Sequence, residues 1–180
     1  MLKLITSPNP VLKQQAVDWN FATDTNSREL EVDMVQTMIE HKGRGLAANQ
    51  VGIRTRVFTL GDRKNFLFAR AFFNPVIIAV TEETVDLEEG CLSFPGIFVN
   101  IKRPKKILAR WQNSKGEWQQ SEFSSSPQHD ACATDQFNDS RLPQQKCKIN
   151  VLALSTPELS MAQSITYRAR CFILQIYKFK

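Results

Sequence analysis

The chain has 180 residues, of which 42% are hydrophobic and 23% are charged, proportions typical of a globular domain. These values exclude a collagen, a coiled coil and a wholly disordered chain. The net charge of +5 is spread thinly, with one small cluster at Lys102, Arg103, Lys105 and Lys106, so a solvated face is favoured over a DNA-binding surface. No apolar run approaches the roughly 18 residues of a membrane helix, and the N-terminus lacks a signal-peptide pattern. We therefore expect a cytoplasmic protein without membrane or DNA partners.

The composition of the chain changes near Phe123. All seven glycines lie at or before Gly116, and all three tryptophans precede residue 119. The stretch 124–145 is rich in Ser, Gln, Asp and Pro, and three of the four cysteines follow Phe123. We therefore divide the chain into residues 1–123 and a divergent segment, 124–180.

The first region predicts one helix followed by many short strands. Ser27 is a candidate N-cap, Glu29 suits the first turn, and apolar residues recur at helical spacing over 28–41. Gly43 and Gly45 then end the helix. Strands are predicted at 51–60, 65–80 (interrupted at Pro75), 97–102, 105–112 and 117–123, the last two joined by a hairpin turn at 113–116. This order indicates an α+β fold. Beyond residue 124, residues 148–154 resemble a strand, and the apolar stretch 167–179 fits a strand or a helix.

Small residues crowd together directly after the predicted helix. The stretch Gly43-Arg44-Gly45-Leu46-Ala47-Ala48-Asn49-Gln50 permits close backbone approach, as a ligand-facing loop requires, and Gln50 could aim an amide at a bound oxygen. The alternative is a helix stop followed by a tight turn, and composition alone favours that alternative. The segment lacks the Gly-Lys-Ser/Thr ending of a phosphate loop.

A second stretch of interest is Glu88-Glu89-Gly90-Cys91-Leu92-Ser93. Cys91 beside a glycine and a carboxylate could be a metal ligand or a nucleophile. A lone cysteine is more often a small buried apolar residue, so the residue types alone favour a structural role. No role for Glu89 follows from the sequence beyond a structural one.

Together the two stretches resemble the first two signature motifs of the peptide deformylase family, GxGLAAxQ and EGCLS, in the expected order. Flanking matches are Pro8-Asn9-Pro10-Val11-Leu12, Asp33-Met34-Val35-Gln36-Thr37-Met38, Asn74-Pro75 and Arg103-Pro104. The resemblance covers about residues 3–123. It implies an α+β fold in which antiparallel sheets pack around a central helix.

The resemblance also implies a chemistry. Members of this family use a divalent metal, commonly Fe(II), with Zn(II) or Ni(II) as alternatives, to remove the formyl group from the N-terminal formylmethionine of nascent peptides. Cys91 would be a metal ligand, the Gln50 side chain and the Leu92 N–H would stabilise the oxyanion, and Gly45 and Gly90 would bond the peptide backbone. Nascent peptides, and with them the ribosome, are the implied partners.

The family's third motif, HExxH, is absent. The nearest string is Gln128-His129-Asp130-Ala131-Cys132-Ala133, with Asp130 in place of the catalytic Glu and Ala133 in place of the second His ligand. His129 is either a surviving metal ligand or a surface residue in a polar stretch, and the second interpretation is favoured. Cys132 could replace the lost ligand on a helix, a weaker alternative.

Two explanations account for the break after Phe123. A shift of the coding frame near Ser124 would replace the family's usual end, which includes the central helix that carries HExxH. Alternatively, the chain is a diverged homologue that binds peptides without a competent metal site. The sequence thus predicts a peptide deformylase-like metallohydrolase or an inactive peptide-binding relative, with a damaged gene product that has no function as a third alternative.

Overall fold

A computed structural model describes residues 1–61 and 68–125, which contain one α-helix and seven strands. The helix is α1 (Ser27–Glu40), and the strands are β1 (Gly45–Ala47), β2 (Val57–Leu60), β3 (Arg70–Val80), β4 (Thr84–Cys91), β5 (Phe94–Pro104), β6 (Lys106–Gln112) and β7 (Trp118–Ser124). Short 3-10 turns occupy Pro10–Lys13 and Ala48–Val51. Five strands form an antiparallel sheet in the order β1-β2-β3-β6-β7, and β4 and β5 form a separate hairpin. The α+β class predicted from the sequence is confirmed.

Helix α1 forms where the apolar spacing predicts it and packs on one face of the sheet. Its buried face carries Leu30, Met34 and Met38, which recur every four residues and join the core cluster of the sheet. The predicted cap is wrong: Asn26 precedes the helix, and Ser27 is its first residue. The Ser27 hydroxyl instead donates to the carbonyl oxygen of Ser114, at 2.6 Å, and so ties the helix to the β6–β7 turn.

The five-stranded sheet has two buried faces because side chains alternate along each strand. Leu46 and Phe73 belong to the face that α1 covers. Phe58 and Phe72, which are register partners on β2 and β3, lie in a second cluster with stacked rings, 4.8 Å between centroids. The cluster is completed by Ala47, Ile77, Ile107, Ala109 and Trp111. Among the described strands, β1 (residues 45–47) therefore lies at the edge of the sheet and is anchored in both clusters.

Several strand predictions are confirmed, and others are wrong for local reasons. Strand β5 contains the predicted segment 97–102, and β6 and β7 match the predicted segments 105–112 and 117–123 to within one residue at each end. Gly116 closes the predicted turn with a left-handed φ of 83°. The predicted strand 51–60 is a strand only from Val57, because the 3-10 turn ends at Gly52 with φ 83°. Pro75 does not interrupt β3, since a register shift between Phe73 and Val76 absorbs it.

Other predictions fall outside the described residues. These are residues 65–67 of the predicted strand 65–80, the predicted segments 148–154 and 167–179, and the position of the family's central helix. The boundary at residue 123 likewise stays a prediction. Over the part of the chain that is described, no helix is long and apolar enough to cross a membrane.

Candidate active site

The first motif places Gln50 at the end of a short, tightly held segment. After α1, the chain forms the edge strand β1 and then the 3-10 turn Ala48–Val51. Gln50 is only 5% exposed, and its Oε1 accepts the N–H of Ala47 at 2.8 Å. Because that backbone group only donates, the bond fixes which end of the carboxamide is oxygen. The Nε2 group therefore points away from β1.

The second motif places Cys91 at the tip of the β4–β5 hairpin. Cys91 is the last residue of β4, and the register shifts between Gly90, opposite Phe98, and Cys91, opposite Phe94. A bulge of this kind redirects the side chains that follow it. Cys91 is half-buried.

The two motifs meet although 41 residues separate their central members. The Nε2 group of Gln50 lies 3.5 Å from Cys91 Sγ and 3.1 Å from Ser93 Oγ. The amide of the first motif and the thiol of the second thus face each other. Their convergence is the arrangement that the family resemblance implies.

A short N-terminal segment, residues 5–7, joins both motifs through main-chain bonds; we call it the strap. The Ile5 N–H donates to the Gln50 carbonyl at 2.7 Å, and the Ser7 N–H donates to the Ser93 carbonyl at 2.9 Å. The Ser93 hydroxyl donates to the Ile5 carbonyl at 2.8 Å. Sequence reasoning assigned no role to Ser93 or Ile5, because nothing local signals a contact across 88 residues.

Glu89, for which the sequence suggested no more than a structural role, forms a buried ion pair. Arg103 on β5 donates through Nε and an Nη group to the two carboxylate oxygens of Glu89, at 3.0 and 2.8 Å. The side chains are 5% and 11% exposed, for Arg103 and Glu89 respectively. This two-bond geometry is among the stronger ion-pair arrangements, and it crosses the hairpin two residues before Cys91.

Three of the remaining predicted site residues, Gly45, Gly90 and Leu92, lie within the described part of the chain. Gly45 begins β1, which has a single strand partner among the described residues. Gly90 lies under the ring of Phe98, where a Cβ atom would come within 2.8 Å of it. The Leu92 side chain packs against the α1 cluster, and a Cβ atom at Gly43 would come within 2.8 Å of its Cδ1 atom. His129 and Asp130 lie outside the described residues.

Among the described residues, Cys91 could supply one ligand to a metal ion, but they do not provide a complete set of metal ligands. Within 1–61 and 68–125, no three His, Cys, Asp or Glu side chains cluster as a metal would require. Cys91 supplies a thiol, while Glu89 is engaged by Arg103. A metal bound at Cys91 would need further ligands from elsewhere in the chain.

Comparison with known proteins assigns the fold and the motifs to a family. The family model described as "Polypeptide deformylase" matches residues 1–128. The chain belongs to this family. Among individual deformylases, the protein of Fusobacterium nucleatum is 43% identical over 59% of this chain and 61% of its own length, and that of Thermotoga petrophila is 41% identical over 66% and 70%.

A solved deformylase structure supports the same assignment. The crystal structure from Thermotoga maritima matches with a TM-score of 0.63 and 40% identity, covering 69% of this chain and 82% of that one. In the Fusobacterium alignment the chain spans less than two thirds of its relative. Deformylases of this family depend on a metal. The predicted family is therefore confirmed, whereas the roles of individual residues in this chain stay proposals.

Proposed function

We propose that this chain is a peptide deformylase-like hydrolase that removes the formyl group from the N-terminal formylmethionine of nascent peptides. The observation that carries the proposal is the 3.5 Å approach of Gln50 Nε2 to Cys91 Sγ. It brings an oriented amide donor to the thiol of the second motif, as expected of a site for amide hydrolysis. Substrate, activity, a cytoplasmic location and action at the ribosome belong to this proposal.

The residues near this contact suit the chemistry of amide cleavage. Attack on a formyl amide produces a tetrahedral oxyanion, which preoriented N–H donors stabilise. We assign the Gln50 amide as one donor and the Leu92 backbone N–H as the second. The peptide backbone would bond along Gly45 and Gly90, since β1 is an edge strand in the described part of the sheet and extended peptides pair with such edges.

For the metal, we propose Cys91 as one ligand and His129 as a second. Asp130 would move the proton that the Glu of HExxH moves in the family. Fe(II) is the proposed ion, with Zn(II) and Ni(II) as alternatives, because a thiolate and an imidazole suit each of them. The proposal for His129 and Asp130 rests on the Gln-His-Asp string of residues 128–130 alone.

A second candidate is a relative that binds peptides without cleaving them. The specific observations in its favour are the absence of an HExxH string in the sequence and the lack of a three-ligand cluster among the described residues. The edge strand and the oriented amide would serve binding equally well.

Formate release decides between the two candidates. The full chain, purified without oxygen and supplied with Fe(II), is mixed with a formyl-Met tripeptide, and formate is measured together with peptide binding by calorimetry. Formate release supports the hydrolase, and binding without formate supports the second candidate. Absence of both would contradict both, and the unformylated tripeptide is the control for substrate chemistry.

A further inference from the structure

The two N–H groups on Gln50 Nε2 have unequal partners. One faces Ser93 Oγ at 3.1 Å, and the other faces Cys91 Sγ at 3.5 Å. A hydroxyl oxygen is a good acceptor, whereas sulfur is a weak one. The bond to Ser93 therefore holds the amide in place. The N–H that faces the Cys91 sulfur loses little free energy when it turns to a better acceptor.

Ser93 is itself held so that it accepts from Gln50. It is fully buried, and its hydroxyl proton is directed to the Ile5 carbonyl at 2.8 Å. Its lone pairs are thereby left to face the Gln50 amide. The strap closes the ring, because the Ile5 N–H bonds the Gln50 carbonyl at 2.7 Å. Hydrogen bonds in such a chain strengthen one another.

We infer that Ser93 is a positioning residue: with Ile5 of the strap it fixes the Gln50 carboxamide so that one N–H stays available beside Cys91 Sγ. The kinetic consequence rests on the proposed hydrolase function, whereas the geometric consequence does not. Without the Ser93 hydroxyl, the amide keeps its bond to Ala47 through Oε1 but loses its stronger Nε2 partner.

The direct test measures the Gln50 side-chain amide in the ¹⁵N-labelled full chain. Its NH₂ signals, assigned by their disappearance in Gln50→Leu, should exchange slowly with solvent in the parent protein. Ser93→Ala should speed that exchange at least tenfold. Ser93→Thr, which keeps a hydroxyl, should restore slow exchange, and Ser121→Ala on the exposed surface of β7 should leave it unchanged. Unchanged exchange in Ser93→Ala would overturn the inference.

The kinetic test separates positioning from general damage. Loss of one orienting hydrogen bond should lower kcat for formate release about tenfold in Ser93→Ala, with KM changed less than twofold. A fall that appears only in KM would overturn the inference. If the parent chain releases no formate, the proposed function fails, and the exchange measurement still decides the role of Ser93.

A second substitution covers the case in which Ser93→Ala does not fold. Ser93→Cys keeps the size of the side chain but replaces the oxygen with a weak acceptor. It should speed the Gln50 amide exchange in the same direction, and slow exchange as in the parent protein would contradict the role of the oxygen.

Discussion

Gln50 is the residue on which the proposed stabilisation of the oxyanion depends. In Gln50→Leu the side chain keeps a similar size but loses its N–H groups, so kcat for formate release should fall about 10²–10³-fold with a smaller change in KM. Gln120→Leu on the exposed β7 strand is the matched control and should retain the parent rate. A Gln50→Leu enzyme within threefold of the parent would exclude the amide from catalysis.

Cys91 is the one thiol that the described residues place at the site. If its sulfur is a metal ligand, Cys91→Ser should sharply lower the metal bound per chain, because a neutral hydroxyl is a much weaker ligand than a thiolate. Metal content is measured by plasma emission after dialysis against free metal. Cys147→Ser is the control, since the family resemblance ends before that position, and equal metal content in both variants would refute the assignment.

The ion pair between Arg103 and Glu89 is largely buried, and burial changes how much an ion pair contributes to stability. Arg103→Met removes both hydrogen bonds that Arg103 donates to the largely buried Glu89 carboxylate, and we expect a loss of about 3–5 kcal/mol in the free energy of unfolding. The exposed pair of Lys105 and Glu83, at 2.7 Å, is the control, and Lys105→Met should cost about 0–1 kcal/mol. Urea unfolding measures the loss of unfolding free energy in both variants. Equal losses would contradict a larger contribution from the buried pair.

Among the elements, two glycines with the same backbone conformation differ in their surroundings: Gly96 lies within strand β5, and Gly116 lies in the β6–β7 turn. Gly96 and Gly116 both have left-handed φ angles, 76° and 83°, which cost an alanine about 1–2 kcal/mol. A Cβ atom at Gly96 meets nothing, whereas one at Gly116 comes within 3.3 Å of the Phe21 ring. Thermal unfolding should therefore show a larger loss for Gly116→Ala than for Gly96→Ala. An equal loss would mean that the ring moves aside freely.

The elements also show why some sequence predictions succeed and others fail. Helix α1 is predictable because one apolar stripe meets one flat sheet face. The three-residue strand β1, made of Gly45, Leu46 and Ala47, carries no strand pattern of its own and forms because it pairs with β2. Strand β4 contains three acidic residues, whose low strand propensity conceals it, and its pairing with β5 overrides that preference.

For the molecule as a whole, the sequence suffices for the family but not for the assembly of the site. Residue types alone favoured a structural role for Cys91 and a tight turn before Gln50. The order of the two motifs identified the family, yet the contact between Gln50 and Cys91 depends on pairing across the whole fold. Ser93 and Ile5 escaped prediction because a hydroxyl bonded to a main-chain carbonyl leaves no pattern in either local stretch.

The strap gives the chain a particular order of assembly during synthesis. Ile5 and Ser7 leave the ribosome early, but their partner Ser93 is made more than 80 residues later. Until then the early segment has nowhere to dock at the second motif, and closing so long a loop delays folding. A nascent chain halted before residue 93 would lack the Ser93 contacts of the strap, so the amide and the thiol become neighbours only after β1 to β4 have been translated.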